Sequence, residues 1–252
     1  MKIFLEISYL GSAYCGYQVQ PNGDTVQGRL NAAARELFGF ECDVVGCSRT
    51  DSGVHANTFC ATLSKRGEAG IECPISESAI PFALNARLPD DIVVKSAKFV
   101  PCEFHPRYDV KKKEYIYKIY ANKLPDPFLH GRVWHYPRGI EPEAVTKMNE
   151  AAKHFVGRHD FSAFMASGSS VATTEREVFE AEVKKEGDLV VFRVSADGFL
   201  YNMVRIMTGT LIGVAEGKYS PDVIPEIITS KDRKRAGQTA PPEGLYLNRV
   251  YY

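Results

Sequence analysis

"GCSRTDSGVHAN", residues 46–57, is a polar stretch set between two runs that read as strands, 42–47 and 56–63. Its acid, Asp51, lies between Thr50 and Ser52, two residues after Arg49. Gly46 and Gly53 suit backbone conformations or close approaches that a side chain would block, so the loop is expected to come close to a ligand. Composition alone fits a simple strand-to-strand turn equally well, because Asp, Ser, Thr and Gly are turn residues.

Working outward, residues 2–9 alternate like a strand, and Asp24-Thr25 offers a cap for a helix carrying Val26, Leu30, Ala33, Leu37 and Phe38 at helical spacing. A helix over 76–88 and a strand over 92–99 complete a first lobe, 1–103. The second lobe, 104–252, is predicted to hold strands at 114–120, 132–136, 181–185 and 190–196, helices at 142–156 and 200–215, and a terminal strand in "EGLYLNRVYY". Pro142 and Gly157 are expected to start and stop the middle helix. Strands broken by helices without strict alternation predict an α+β fold. Its mainly antiparallel sheet would be shared by two similar α/β lobes flanked by helices.

The 252 residues carry 44% hydrophobic and 25% charged side chains, ordinary for a soluble protein. No stretch approaches the roughly 20 apolar residues of a membrane span, and the N-terminus lacks a signal-peptide core, so the expected location is cytoplasmic. Six scattered cysteines without a C-x-x-C pattern read as free thiols. Lys plus Arg (31) equals Asp plus Glu (31), so a nucleic-acid partner would require charge sorted onto one face. Residues 104–139 hold eight Lys/Arg against three Asp/Glu with aromatics interleaved, and "KDRKR" at 231–235 is a second basic cluster. No phosphate-cradling loop, dinucleotide fingerprint or metal cluster is legible, so no cofactor and no metal are expected.

An aspartate with the reference pKa near 3.9 is about 99.9% ionised at neutral pH and needs no base before acting as a nucleophile. A nearby cation would keep it charged as water leaves; Arg49 and Arg205 are the candidates. Arg205 sits in "NMVRIM", where an arginine buried without a partner would be costly, and a snorkelling surface position is the alternative.

"RTDSGVHA" (49–56) resembles the signature of the TruA family of tRNA pseudouridine synthases, which contains the nucleophilic aspartate. Five further stretches match that family in order: "YCGYQVQ" (14–20), "LNARLPDDI" (84–92), "FHPRYDVKKKEYIY" (104–117), "FLYNMVRIMTG" (199–209) and "EGLYL" (243–247). Tyr17 stands where the family usually has tryptophan, and Cys47-Ser48 replaces a small Ala-Gly.

The resemblance implies the pseudouridine-synthase fold and isomerisation of uridine at tRNA positions 38, 39 and 40, in the anticodon stem-loop. It makes Asp51 the catalytic group, Tyr115 the residue packed on the target base, Arg205 the partner of Asp51, Arg49 an RNA contact and Leu245 an apolar wall of the uracil pocket. Strand-core roles for Tyr115 and Leu245 stay open beside these, and His55 and His105 are read as structural or RNA-contacting. A homodimer is implied, with tRNA as partner. The competing readings are a non-catalytic tRNA-binding or RNA-chaperone protein on the same scaffold and a thiol enzyme centred on Cys47 or Cys60.

Overall fold

The computed structural model describes residues 1–21, 23–168 and 171–252. Contacts divide the chain into two compact units, Met1–Lys111 with Leu247–Tyr252, and Lys112–Tyr246.

The first unit contains β1 (Lys2–Tyr9), α1 (Val26–Phe38), β2 (Cys42–Gly46), β3 (His55–Lys65), α2 (Ile80–Asn85) and β4 (Ile92–Val100). Strand β1 runs antiparallel to β3 and to β4, and β2 runs antiparallel to β3. The register sets Ile3, Leu5 and Ile7 opposite Leu63, Ala61 and Phe59, and all six are fully buried. Helix α1 starts where its sequence says it should. The Thr25 hydroxyl accepts the Gly28 N–H at 3.2 Å, and Gly39 ends the helix at φ 77°. Its buried stripe is Val26, Leu30, Ala33 and Ala34. Helix α2 is shorter than the predicted 76–88, because the flanking residues close as turns instead: Ala79 N–H to Ser76 O at 2.9 Å, and Arg87 N–H to Leu84 O at 3.0 Å.

The second unit contains β5 (Lys112–Tyr120), β6 (Trp134–His135), α3 (Pro142–Lys153), β7 (Gly157–Asp160), β8 (Glu175–Glu186), β9 (Leu189–Ala196), α4 (Met203–Ala215) and α5 (Val223–Ser230). Its strands lie in the order β5-β9-β8-β7, with β6 parallel to β5 and the other pairings antiparallel. Strand β10 (Leu245–Tyr251) crosses the division between the units. The α+β class and the mainly antiparallel pairing are as the sequence predicts.

Three further local expectations fail. Gly157 does not stop α3, which is capped by His154; at φ 114° it opens β7, a short polar strand with no apolar alternation to reveal it. Helix α5 was also absent from the predicted elements. Pro225 breaks the pattern, yet it occupies the first turn, where its missing N–H costs no intrahelical bond. Helix α4 spans less than the predicted 200–215 because Asn202, in the left-handed region at φ 60°, precedes its first turn.

Candidate active site

In the first unit the loop between β2 and β3 is held by residues 9–17. The Tyr9 and Thr50 hydroxyls are hydrogen-bonded at 2.8 Å, and the Tyr17 N–H donates to Thr50 O at 3.1 Å. Beyond Asp51, the Ser52 hydroxyl donates to Tyr14 O at 3.2 Å and the Gly53 N–H donates to the same oxygen at 3.3 Å. A turn closes from Asp51 O to the Val54 N–H at 3.2 Å, with Gly53 at φ 79°, the position where such a turn favours glycine. Contact with residues 9–17 also demands glycine at Gly11, where a Cβ would lie 1.9 Å from Val54 O. The half-buried Asp51 is thus fixed through its neighbours on both sides.

Arg49 differs from that acid two residues away. It is exposed, and among the described residues no hydrogen bond or ion pair holds it. His55 is fully buried, and its Nδ1 accepts the Gly11 N–H at 2.9 Å, a structural use that leaves Nδ1 unprotonated. His105 accepts the N–H groups of Arg107 and Tyr108 at 3.1 and 3.3 Å, turning "FHPRYD" so that Arg107 and Tyr108 are exposed.

Gly46 plays a different part from the one its sequence position suggests. A Cβ there would meet the Tyr17 ring at 2.5 Å and the Phe59 ring at 2.7 Å, so its close approach is to the core and not to a ligand. Tyr17 itself is buried, stacked on Phe59 at 4.2 Å, with its hydroxyl donating to Val44 O at 3.3 Å. The aromatic that stands in for tryptophan is therefore a support beneath the loop. Cys47 is also buried, its N–H donating to Cys60 O at 2.8 Å. Burial, then Cys47, pushes the Cys60 thiol well up, away from the thiolate that a cysteine nucleophile requires.

In the second unit Tyr115 lies on β5, buried, with its ring edge-on to Phe199 at 5.0 Å. Arg205 is in the first turn of α4, the helix's positive end, where a cation is disfavoured. Two neutral oxygens offset this: Nε donates to Ala240 O and Nη1 to Asn202 Oδ1, both at 2.7 Å. Every other residue of α4 except Ala215 is buried, so the half-buried Arg205 is the helix's one polar outlet.

Residues 236–241 pack on that helix through glycine. A Cβ on Gly209 would fall 1.8 Å from Gln238 O, and the Gly237 N–H donates to Thr210 Oγ1 at 2.9 Å. The chain then reaches Leu245, buried at the start of β10. Tyr117 guides it, with its hydroxyl on Pro241 O at 2.6 Å and its ring 2.5 Å from where a Gly244 Cβ would stand. Burial, then the Glu243 charge, pushes the Tyr117 phenol up while Arg205 opposes, so that hydroxyl stays a donor.

The family model described as tRNA pseudouridine synthase matches residues 7–109 and 151–252, which include both the loop and the α4 to β10 segment. The chain belongs to the tRNA pseudouridine synthase family. It is similar to proteins called tRNA pseudouridine synthase A from Acetivibrio thermocellus (45% identical) and Thermoanaerobacter pseudethanolicus (43%), in each case over 100% of this chain and 99% of the relative. A third, from Ruminiclostridium cellulolyticum, is 44% identical over the same shares of the two chains. The chain is thereby an isomerase that forms pseudouridine in tRNA, and its fold is the α+β pseudouridine-synthase fold.

Among the synthase's candidate residues, Asp51 and Arg49 are in the first unit, and Tyr115, Arg205 and Leu245 are in the second. The synthase's two basic clusters also differ from each other. In "KDRKR", Lys231 pairs with Asp160 at 2.8 Å, Arg235 pairs with Glu226 at 3.2 Å, and Arg233 donates to Gly237 O and Thr239 Oγ1 at 2.8 and 3.1 Å. Three of its four cations are therefore engaged within the fold. Among the described residues, no group of three or more His, Cys, Asp or Glu could hold a metal ion, and no helix is long and apolar enough to cross a membrane.

Two supports of the loop lie inside matched motifs, where no local pattern marks them as supports. They are Tyr14 in "YCGYQVQ" and Asp91 in "LNARLPDDI", joined by a hydrogen bond of 2.5 Å. The only sequence signal was their membership of motifs that carry no obvious chemistry.

Proposed function

We propose that this enzyme isomerises uridine at positions 38, 39 and 40 in the anticodon stem-loop of tRNA, with Asp51 as nucleophile on a flipped-out base. The observation that carries the assignment is the clamped loop: Thr50 and the Ser52-Gly53 pair are both tied to residues 9–17, which fixes the backbone carrying the acid. A carboxylate ionised at neutral pH needs preorganisation more than activation.

The bond from ribose C1' to uracil N1 breaks, the base turns, and C1' rejoins at C5; the C5 proton is lost and N1 gains one. Asp51 starts the cleavage. Tyr115 packs on the base and assists loss of the C5 proton, Arg205 offsets the charge of Asp51, and Leu245 walls the uracil. Arg49, exposed and without an ion pair among the described residues, suits an RNA phosphate. Extracting the base costs a few kcal/mol, repaid by stacking and phosphate contacts. The enzyme works as a cytoplasmic homodimer, with 1–103 and 104–252 as its lobes and no cofactor or metal taking part.

Tritium release from tRNA carrying 5-tritiated uridine tests the assignment. The parent releases tritium, while Asp51→Ala and Asp51→Asn release none detectable and still bind tRNA. Release by either variant at the parent rate removes Asp51 from the mechanism. Binding without release by the parent itself would leave a tRNA-binding protein.

A further inference from the structure

We infer that Tyr14 and Asp91 form a positioning pair for Asp51, setting the catalytic loop without touching the substrate; this rests on the reading of Asp51 as nucleophile. Tyr14 is buried, and its hydroxyl donates to Asp91 Oδ1 at 2.5 Å. Its carbonyl is the oxygen that receives both the Ser52 hydroxyl and the Gly53 N–H. One residue therefore carries the load from both directions: its side chain is anchored on Asp91, and its main chain holds the two residues that follow the acid. Asp91 is anchored in turn, since its carbonyl accepts the Leu10 N–H at 2.9 Å and it leads directly into β4.

The same segment is fixed from its other end. The Tyr14 N–H closes a turn onto Gly11 O at 3.0 Å, and Gly16 and Tyr17 offer their carbonyls to the Val26 and Gln27 N–H groups at 3.3 and 2.9 Å. Those two donors belong to the first turn of α1, which has no acceptors of its own for them. Residues 14–17 thus span the helix N-terminus and the catalytic loop, and Asp91 decides where the span is pinned. Burial, then the Asp91 hydrogen bond and its charge, push the Tyr14 phenol well up, so it remains a donor at any working pH.

The interaction is also economical. A charge-assisted O–H···O⁻ bond at this distance is of the strong class, and a displacement of about 1 Å at a reacting group costs up to roughly a hundredfold in rate. A tyrosine serving only the core could lose its hydroxyl and leave the chemical step unchanged.

The test is single-turnover tritium release alongside tRNA affinity and melting temperature, on full-length Tyr14→Phe, Asp91→Ala and Asp91→Asn. Tyr14→Phe and Asp91→Ala are expected to slow release by roughly tenfold to a hundredfold. Their tRNA affinity should stay within about twofold of the parent at a temperature where all variants remain folded. Asp91→Asn keeps an acceptor oxygen and is expected to recover most of the rate lost in Asp91→Ala. Parent-rate release by Tyr14→Phe, or a rate loss matched by an equal affinity loss, overturns the inference. If Asp51→Asn is inactive while Tyr14→Phe is normal, this inference alone fails; if Asp51→Asn is active, the nucleophile assignment fails.

Discussion

The loop at 47–54 and the segment at 236–244 are both irregular chain, and they are secured by different chemistry. The loop carrying Asp51 is tied back through the peptide N–H groups of Tyr17 and Gly53 and the hydroxyls of Ser52 and Thr50. The segment around Ala240 is held by guanidinium donors as well, Arg205 on Ala240 O and Arg233 on Gly237 O, beside the Tyr117 hydroxyl on Pro241 O. The contrast shows what an arginine's surroundings reveal about its work. Arg49, within the loop, is exposed and holds no part of the clamp, whereas part of the Arg205 and Arg233 guanidiniums is committed to the fold.

Steric approach is common to both regions, and it supplies the largest expected effect. Gly11→Ala and Gly209→Ala would each drive a Cβ to within 2 Å of a backbone oxygen. Each should destabilise by about 3 kcal/mol, read from denaturant midpoints at unchanged m-value. If Gly11→Ala alone is tolerated, the loop around Asp51 is softer than its hydrogen bonds imply, and the comparison breaks there.

A smaller, pH-dependent effect is expected at Lys231, just ahead of the second segment. Burial acts to raise the Asp160 carboxyl, but hydrogen bonds from Lys231, Thr174 and Ser162 outweigh it and hold the group well below the usual carboxylate range. A depressed folded-state value stabilises above the unfolded pKa, near 3.9, and that stability is lost as pH falls toward the folded value. Asp160→Asn should therefore melt below the parent at pH 7, with the gap shrinking steadily below about pH 4. A gap that is constant with pH would mean that packing, not charge, pins residue 231.

The smallest effect on stability separates the two arginines. Arg49→Ala should leave stability within about 0.5 kcal/mol while lowering the salt slope of tRNA binding by about one. Arg205→Lys, which gives up the fork that reaches Ala240 and Asn202, should lower the melting temperature. Equal stability losses in the two would erase the distinction.

Periodic and punctuated features were legible in the sequence. Alternation gave β1, the Thr25 cap and Gly39 framed α1, and the polar run between two strands marked the loop with its acid. Short or broken patterns were not. Four residues of "GRHD" carry no periodicity, and "VIPEIITS" hides a helix behind a proline that is harmless only in the first turn. Charge runs were incomplete in a similar way, because "KDRKR" reads as a plain basic cluster until Asp160, Glu226 and Gly237 are seen engaging three of its cations at the surface.

By itself the sequence determined the α+β class, the family and the acid on which the proposed chemistry rests, since each is written in contiguous residues. Only the tertiary structure decided that Gly46 and Tyr17 serve the core and that Tyr14 meets Asp91, 77 positions along the chain. The reason is physical: a strand or cap follows from neighbours a few residues apart, whereas a contact between segments distant in the chain depends on strand register and packing that no local pattern encodes.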